Sequence, residues 1–493
     1  MKIALVNPRV ESYSGTLPPL GLLYIGALLE KNGYEVRIFD VFPYDDRDIP
    51  ALLEYKPDIV GMTVLTDYLK RAHHLAQIIR QSLTLQSFIV GGVHVTVLPE
   101  ESLTHLQADI AVVGEGEYTM LELCDHLSKG RDWRFTKGIA YRDRQGNFTL
   151  TESHPFIEDL DGLPLPARHL LNFEEYLLPP GIIRGHWSER STTVMTSRGC
   201  PFQCIWCGSQ CTFGRKVRYR SVENVLDELE ALRRDYKVDT VWFVDDTFAL
   251  SKQRVLQFCK RIRERGIILT FGCQGHVKTA DEEMFAAMKD AGFVQVDFGV
   301  ESGSDRVLKA LKKNSNAEVI KGAFNAARKA GLRTIATFMF GSPEETYEDV
   351  SITMRLAKEI RPNFVSSFFI TPYPGTELMG MAVEHGWISN QDHEQGGLKK
   401  GPMLTINFTR EELLAIRSRF KRIFFFENFI SLFLSPRYVG RMIRLCLTYP
   451  KGLFYGLRKA LRTRVFDDLV FEFLVYYVRE RSSRIHRKWP AHP

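Results

Sequence analysis

Cys200, Cys204 and Cys207 lie in the run Ser197-Arg198-Gly199-Cys200-Pro201-Phe202-Gln203-Cys204-Ile205-Trp206-Cys207, a C-x3-C-x2-C loop at the end of a predicted strand. Three thiolates can ligate three corners of a cubane iron–sulfur cluster and leave the fourth iron open for a substrate or cofactor to chelate. A structural zinc site wants a fourth ligand, and no second pair stands nearby. Cys211 is near enough in sequence to be considered, but closing the cluster would abolish its open corner, so it reads as a bystander. Cys124, Cys259, Cys273 and Cys446 are scattered and read as small buried thiols. Eight cysteines in 493 residues are too few for a disulfide scaffold.

Something must hold that loop, and regular strand–helix alternation surrounds it. A strand at Thr193–Thr196 leads into the cysteines, and Ser221 caps a helix running to Arg234. Thr240–Val244 is the next strand, with Ser251 capping the helix after it. Strands at Leu269–Gly272, Val294–Gly299, Thr334–Phe340 and Phe364–Ile370 alternate with helices, which makes residues 191–404 a partial TIM-type (β/α)6 barrel. Residues 1–130 show the same alternation in doubly wound, Rossmann-like form, so the chain as a whole is α/β. Strands there end in Asn7, in Thr63, in Gly91-Gly92-Val93-His94 and in Gly114-Glu115-Gly116-Glu117. Ligands of such sheets bind outside the carboxyl ends of the strands, where close backbone approach favours glycine. A loop-rich connector spans 131–190, with a hairpin marked by Asp143, Gly146 and Asn147.

After about Thr405 helical periodicity replaces the strands, so 405–493 reads as a helical carboxy-terminal region. Residues 410–493 hold 18 Lys+Arg against 7 Asp+Glu, a net of +11, so the first 409 residues sum to −5 within a total of +6. Helices are expected at Arg410–Leu434, Tyr438–Leu447, Gly452–Leu461 and Val465–Arg484. Their mixed apolar and basic faces fit an anionic membrane surface, a cover over an apolar substrate, or a cap on the barrel with a solvated basic side. No apolar run reaches the roughly 18 to 20 residues that span a bilayer, because Glu427 interrupts the best candidate. No recognised nucleic-acid module accompanies the basic residues. The amino terminus has too short an apolar run for a secretory signal and reads as the first strand of a cytoplasmic protein.

The cysteine loop, with Trp206 before its third cysteine, resembles the radical S-adenosylmethionine (SAM) superfamily. The resemblance implies a 4Fe-4S cluster on Cys200, Cys204 and Cys207. SAM would chelate the unique iron and be cleaved to a 5′-deoxyadenosyl radical, with a reduced flavodoxin or ferredoxin-type protein as electron donor. Val244-Asp245-Asp246-Thr247, Phe298-Gly299-Val300-Glu301-Ser302-Gly303-Ser304, Met339 to Thr346 and Thr371 to Thr376 match further family segments in order. They assign Trp206, Asp245, Asp246, Glu301 and Ser302 to the SAM site.

The amino-terminal third, through Ile89 to Thr96 and Val112 to Thr119, looks like the cobalamin-binding domain of one large radical SAM group. That group includes methylases and the anaerobic magnesium-protoporphyrin monomethyl ester cyclase, and the layout is most like the cyclase-type members. Asn7, Thr63, Gly91, Gly92, His94, Gly114, Glu115 and Gly116 are the implied cobalamin contacts. The Asp-x-His-x-x-Gly motif that supplies an axial histidine to cobalt is absent. His94 is the substitute ligand, a corrin-edge contact or a plain loop residue.

The implied activity is C-methylation or cyclisation at an unactivated carbon, and the basic apolar tail points to an apolar substrate: a tetrapyrrole, an isoprenoid or another lipid. No nucleic-acid partner is expected, and the expected location is the cytoplasm, with peripheral contact at the inner membrane face as the option that the basic tail leaves open. A cobalamin-independent tailoring enzyme and a non-catalytic cobalamin or redox sensor are the alternatives. Methylthiolation would call for a second cysteine set, where only Cys124 occurs.

Overall fold

The computed structural model describes residues 1–9, 17–41, 48–177, 183, 186–388, 403–425, 427–428 and 436–463, with a few single positions beyond. The first sheet contains β1 (Lys2–Pro8), β2 (Glu35–Val41), β3 (Ile59–Thr63), β4 (Ser87–Gly91), β5 (Ile110–Val112), β6 (Ile139–Arg142) and β7 (Phe148–Leu150). Their spatial order is β2-β1-β3-β4-β5-β6-β7. The first five are parallel. Both faces of this part carry helices, which is why its strands are nearly continuous apolar runs. The chain winds outward from β1 in both directions, so a crevice opens at the carboxyl ends of β1 and β3.

Residues 139–150, read from sequence as part of the connector, extend this sheet as an antiparallel hairpin on β5. Asp143 closes its turn by accepting the backbone N–H groups of Gln145 and Asn147, both at 2.8 Å.

The second sheet runs β15-β14-β13-β12-β11-β8. It consists of β8 (Ser191–Val194), β11 (Thr240–Phe243), β12 (Thr270–Gly275), β13 (Phe293–Glu301), β14 (Arg333–Phe340) and β15 (Phe364–Phe369). All neighbours are parallel, and among the described strands β8 and β15 do not pair, which leaves a partial barrel. Ser221, Ser251, Asp281, Asn316 and Thr346 each accept a backbone N–H of the helix they start. Such caps contribute about 1 kcal/mol each and fix where each helix leaves its strand. Between β8 and β11 lies a short antiparallel pair, β9 (Ser197–Arg198) and β10 (Arg218–Tyr219).

Helix Arg410–Ile423 packs Phe420 against Phe338 and Phe340 of β14. Asn428 then treats the β15 edge as a strand would, accepting from Val365 N at 2.8 Å and donating to Val365 O at 3.0 Å. Helices Pro436–Thr448 and Pro450–Thr463 follow. Of the expected first helix, Arg410–Ile423 forms with its cap at Phe424, while its end at 429–434 and almost all of the expected helix at 465–484 lie outside the described residues. No described helix is long and apolar enough to cross a membrane.

Candidate functional site

The cysteine loop leaves β9 through Gly199, whose φ is +93° and whose missing Cβ lets it lie against the Lys216 carbonyl. Ile205, 1% exposed, anchors the loop among Val307, Leu311 and Leu378. Its N–H donates to Leu311 O at 3.3 Å and its carbonyl accepts from Leu378 N at 2.9 Å. The segments after β13 and β15 therefore grip the loop between the cysteines.

Burial pushes the Cys204 thiol up to about 11 and raises Cys200 and Cys207 as well. Backbone N–H groups of Phe202 and Ser209 act in the opposite sense on Cys200 and Cys207, as donors to the thiolate form. Lys313, buried beside Cys204 and Cys207, adds a cation. This donor set fits an anionic metal–thiolate centre. No three described His, Cys, Asp or Glu side chains converge as ligands of a single ion. Cubane ligands differ, because each thiolate takes its own iron.

Of the sequence-predicted SAM residues, Asp245 is 2% exposed. It accepts from Thr196 N at 2.6 Å, Thr196 Oγ1 at 2.5 Å and Ser197 Oγ at 2.7 Å. Its carboxylate is spent on the strand that enters the cysteine loop. Asp246 accepts from Ser209 Oγ at 2.5 Å and faces a cavity. Glu301 sits at a bulge in β13 with φ +67° and pairs with Lys313 at 2.9 Å. Ser302 is fully buried and bonds Thr353 Oγ1 at 3.1 Å and Ser304 N at 3.1 Å, a network within the protein. Trp206 lies under Lys313, with Nζ 5.7 Å from the ring centroid.

The amino-terminal crevice holds a cavity of about 320 Å³. Gly21, Gly61, Gly91, Gly92, Gly114 and Gly116 wall it together with Thr63, Glu115 and apolar side chains. A Cβ at Gly114, φ +89°, would meet nothing within 4 Å, whereas one at Gly92, φ +105°, would stand 2.7 Å from Val64 O. Here glycine makes room for a ligand at one position and permits the turn at the other. A second cavity of about 360 Å³ is bounded by Leu65 to Tyr68, Val93 and Val97 on one side, and by Gly208, Ser209, Asp246, Tyr373 and Pro374 on the other. Thr212 and Phe213 line both. The two cavities thus adjoin at Thr212 and Phe213, close behind the cysteine loop in sequence.

His94 and Asn7 line neither cavity. His94 is fully buried, with Nδ1 3.1 Å from Thr66 Oγ1, while Val93 and Val97 of the same turn face the second cavity. Asn7 donates to Asp40 at 2.7 Å across β1 and β2. Glu115 lines the first cavity, but its carboxylate is engaged by Arg198 at 2.8 Å, Arg218 at 2.7 Å and Ile157 N at 2.7 Å. Although burial pushes this carboxyl up, the Arg218 and Arg198 hydrogen bonds outweigh it and hold it below the usual range. Cys211 donates to Gly375 O at 3.2 Å, away from the role of a ligand.

Four residues near the site escaped sequence reading. Arg198, Arg218 and Lys313 are basic residues whose partners lie far along the chain. His276, at the carboxyl end of β12, stacks on Phe202 of the cysteine loop with ring centroids 3.7 Å apart. Burial and the nearby Lys313 push it down to about 3, so this imidazole is neutral. The signal for it was positional: a polar residue just past a barrel strand.

Comparison with known proteins agrees with this geometry. Residues 194–357 match the Radical SAM superfamily and residues 6–124 match the B12 binding domain. An uncharacterized methyltransferase, PH0819 of Pyrococcus horikoshii, is 33% identical over 89% of this chain and 93% of its own length. The chain belongs to the radical SAM enzymes that carry a B12 binding domain. Its cofactors are a 4Fe-4S cluster, SAM and cobalamin. The anaerobic magnesium-protoporphyrin IX monomethyl ester cyclase of Rubrivivax gelatinosus is 29% identical over 77% of this chain and 69% of its own. Two solved structures share the fold of this radical SAM enzyme. The methyltransferase TsrM from Kitasatospora setae has a TM-score of 0.67 at 21% identity, covering 78% of each chain. OxsB, with aqua-cobalamin and SAM bound, has a TM-score of 0.70 at 18% identity, covering 99% of this chain and 80% of its own.

Proposed function

We propose that this radical SAM enzyme methylates an unactivated carbon of an apolar substrate, a tetrapyrrole, isoprenoid or other lipid, inside the cytoplasm. When bound, the cluster supplies the electron that cleaves SAM and cobalamin carries the methyl group. The single observation that carries the reading is the glycine-walled cavity at the carboxyl ends of the first sheet, whose lining also includes Arg198 and Thr212 on either side of the cysteine loop. In this reading cobalamin lies against the glycine edge, beside the segment that carries the cysteine loop. In this reading Trp206, Asp246 and Glu301 face SAM, while Asp245 and Ser302 hold the backbone that carries them. Thr63, Gly91, Gly92, Gly114 and Gly116 receive the cobalamin.

Methylation is preferred to cyclisation because the relative PH0819 spans both chains nearly end to end, whereas the Rubrivivax cyclase does so less completely. The hopanoid C-3 methylase of Methylococcus capsulatus, 26% identical over 76% of this chain, supports an apolar substrate. So do the carboxy-terminal helices, where Ile443, Leu447, Phe454 and Leu461 are 55%, 76%, 62% and 79% exposed among arginines and lysines. Such a surface fits peripheral contact with an anionic inner membrane face. A reduced flavodoxin or ferredoxin-type protein would supply the electron.

The test is anaerobic turnover with methyl-deuterated SAM and a lipid and tetrapyrrole extract, read by mass spectrometry. Labelled methyl in a lipid-soluble product is expected. An unlabelled, ring-closed product would instead establish the cyclase reading, and label confined to water-soluble products would overturn the apolar substrate.

A further inference from the structure

Arg198 is the last residue of β9, two positions before Cys200, and is 3% exposed. Its Nη1 donates to Glu115 at 2.8 Å and its Nη2 to Glu117 at 2.5 Å, so both carboxylates that flank Gly116 in the first domain hold one guanidinium of the second. Arg218, paired directly with Arg198 across β9 and β10, grips the same Glu115 at 2.7 Å. The Arg198 guanidinium also lies over Tyr24 of the first domain, at 5.4 Å, and Phe213 of the cysteine-loop helix, at 5.5 Å. Glu115, Glu117, Arg198 and Phe213 all line the first cavity. The Arg198 Nε–H is buried and has no hydrogen-bond partner.

We propose that Arg198 is a positioning residue shared by the two cofactors: its clamp on Glu115 and Glu117, which line the first cavity, sets the cobalamin cavity against the cluster loop. Only Gly199 separates Arg198 from Cys200, at φ +93°, where an added Cβ would stand 2.4 Å from the Lys216 carbonyl. A buried ion cluster has few alternative arrangements, since each charge released into the interior would lose its partner. A shift at Glu115 or Glu117 is therefore passed directly to the loop. The inference rests on the proposed function, because it takes cobalamin as the occupant.

The test compares full-length wild type, Arg198→Lys and Glu117→Gln after anaerobic cluster reconstitution, with iron per chain and thermal midpoint measured alongside. Two readouts are taken: the dissociation constant of hydroxocobalamin from its absorbance change, and the broadening of the cob(II)alamin EPR signal by the reduced cluster per bound corrin. Arg198→Lys is expected to weaken corrin binding about tenfold and Glu117→Gln about threefold, both with altered broadening. A merely structural role would lower the amount of loaded protein and leave the signal per corrin unchanged. Glu117→Gln removes the charge and keeps an acceptor oxygen for Arg198, so it remains informative if Arg198→Lys fails to fold. Wild type that binds no corrin overturns the functional reading and this inference together. Corrin binding in wild type with an unchanged constant and unchanged broadening in Glu117→Gln overturns the inference alone.

Discussion

Glu301 and Lys313 form a buried ion pair 2.9 Å long beside the cysteine loop, and Gly299 is the residue that makes room for it. A Cβ on Gly299 would overlap the Glu301 carboxylate and stand 2.9 Å from Lys313 Nζ. Gly299→Ala is expected to lose about 1–3 kcal/mol through overpacking. Lys313→Met is expected to cost about 3–5 kcal/mol, because it leaves Glu301 without its ion-pair partner in the interior. Anaerobic denaturant titration of each variant against wild type checks both values.

Asp245 is held by three donors from Thr196 and Ser197. Asp245→Asn would turn an amide N–H₂ toward at least one of them, at a cost of about 1–3 kcal/mol. The expected phenotype is poorer cluster retention, with iron per chain falling to half or less, since the strand entering the loop loosens. Full iron content with weakened SAM binding would show instead that Asp245 touches SAM itself.

Cys211→Ser is expected to keep its full iron content, because the serine hydroxyl can replace the thiol as donor to Gly375 O. Iron and sulfide analysis after reconstitution checks this. A loss of iron comparable to that of a Cys204 variant would make Cys211 a ligand.

Glu345 gives a pH signature away from the cluster. Burial pushes its carboxyl from 4.5 up to about 7, against the N–H groups of Gly341 and Ser342 that favour the charged form. Between those two values the folded chain holds a proton that the unfolded chain has released. This group's contribution to stability is thus fully present below about pH 4.5 and is lost as pH rises through about 7. Thermal midpoints of Glu345→Gln across that range should fall less steeply with rising pH than those of wild type. Parallel curves would remove Glu345 from the account of pH dependence.

What could be read from the sequence was whatever is local. The C-x3-C-x2-C spacing, the glycines ending β4 and following β5, and the caps Ser221 and Ser251 each declare themselves within a few residues. The partners of Arg198 and Arg218 do not, because Glu115 lies 83 and 103 positions away. Glu115 stood in a glycine-rich loop that predicts a cofactor contact, and only the folded arrangement commits its carboxylate to two arginines. His94 shows the same limit. Its turn faces the second cavity through Val93 and Val97, and helical spacing directs the histidine to Thr66 instead. The hairpin at 139–150 looked like a connector because nothing local marks which sheet edge it will join.

One chain brings a SAM-cleaving cluster and cobalamin together, and a single reconstitution measures both. Wild-type protein is loaded anaerobically with iron, sulfide and hydroxocobalamin, desalted, reduced with dithionite and given SAM. The expected result is corrin absorbance that survives desalting together with 5′-deoxyadenosine formation, and loss of the 5′-deoxyadenosine alone in Cys204→Ala. Wild-type protein with a full cluster that retains no corrin, or that leaves SAM intact, would contradict it.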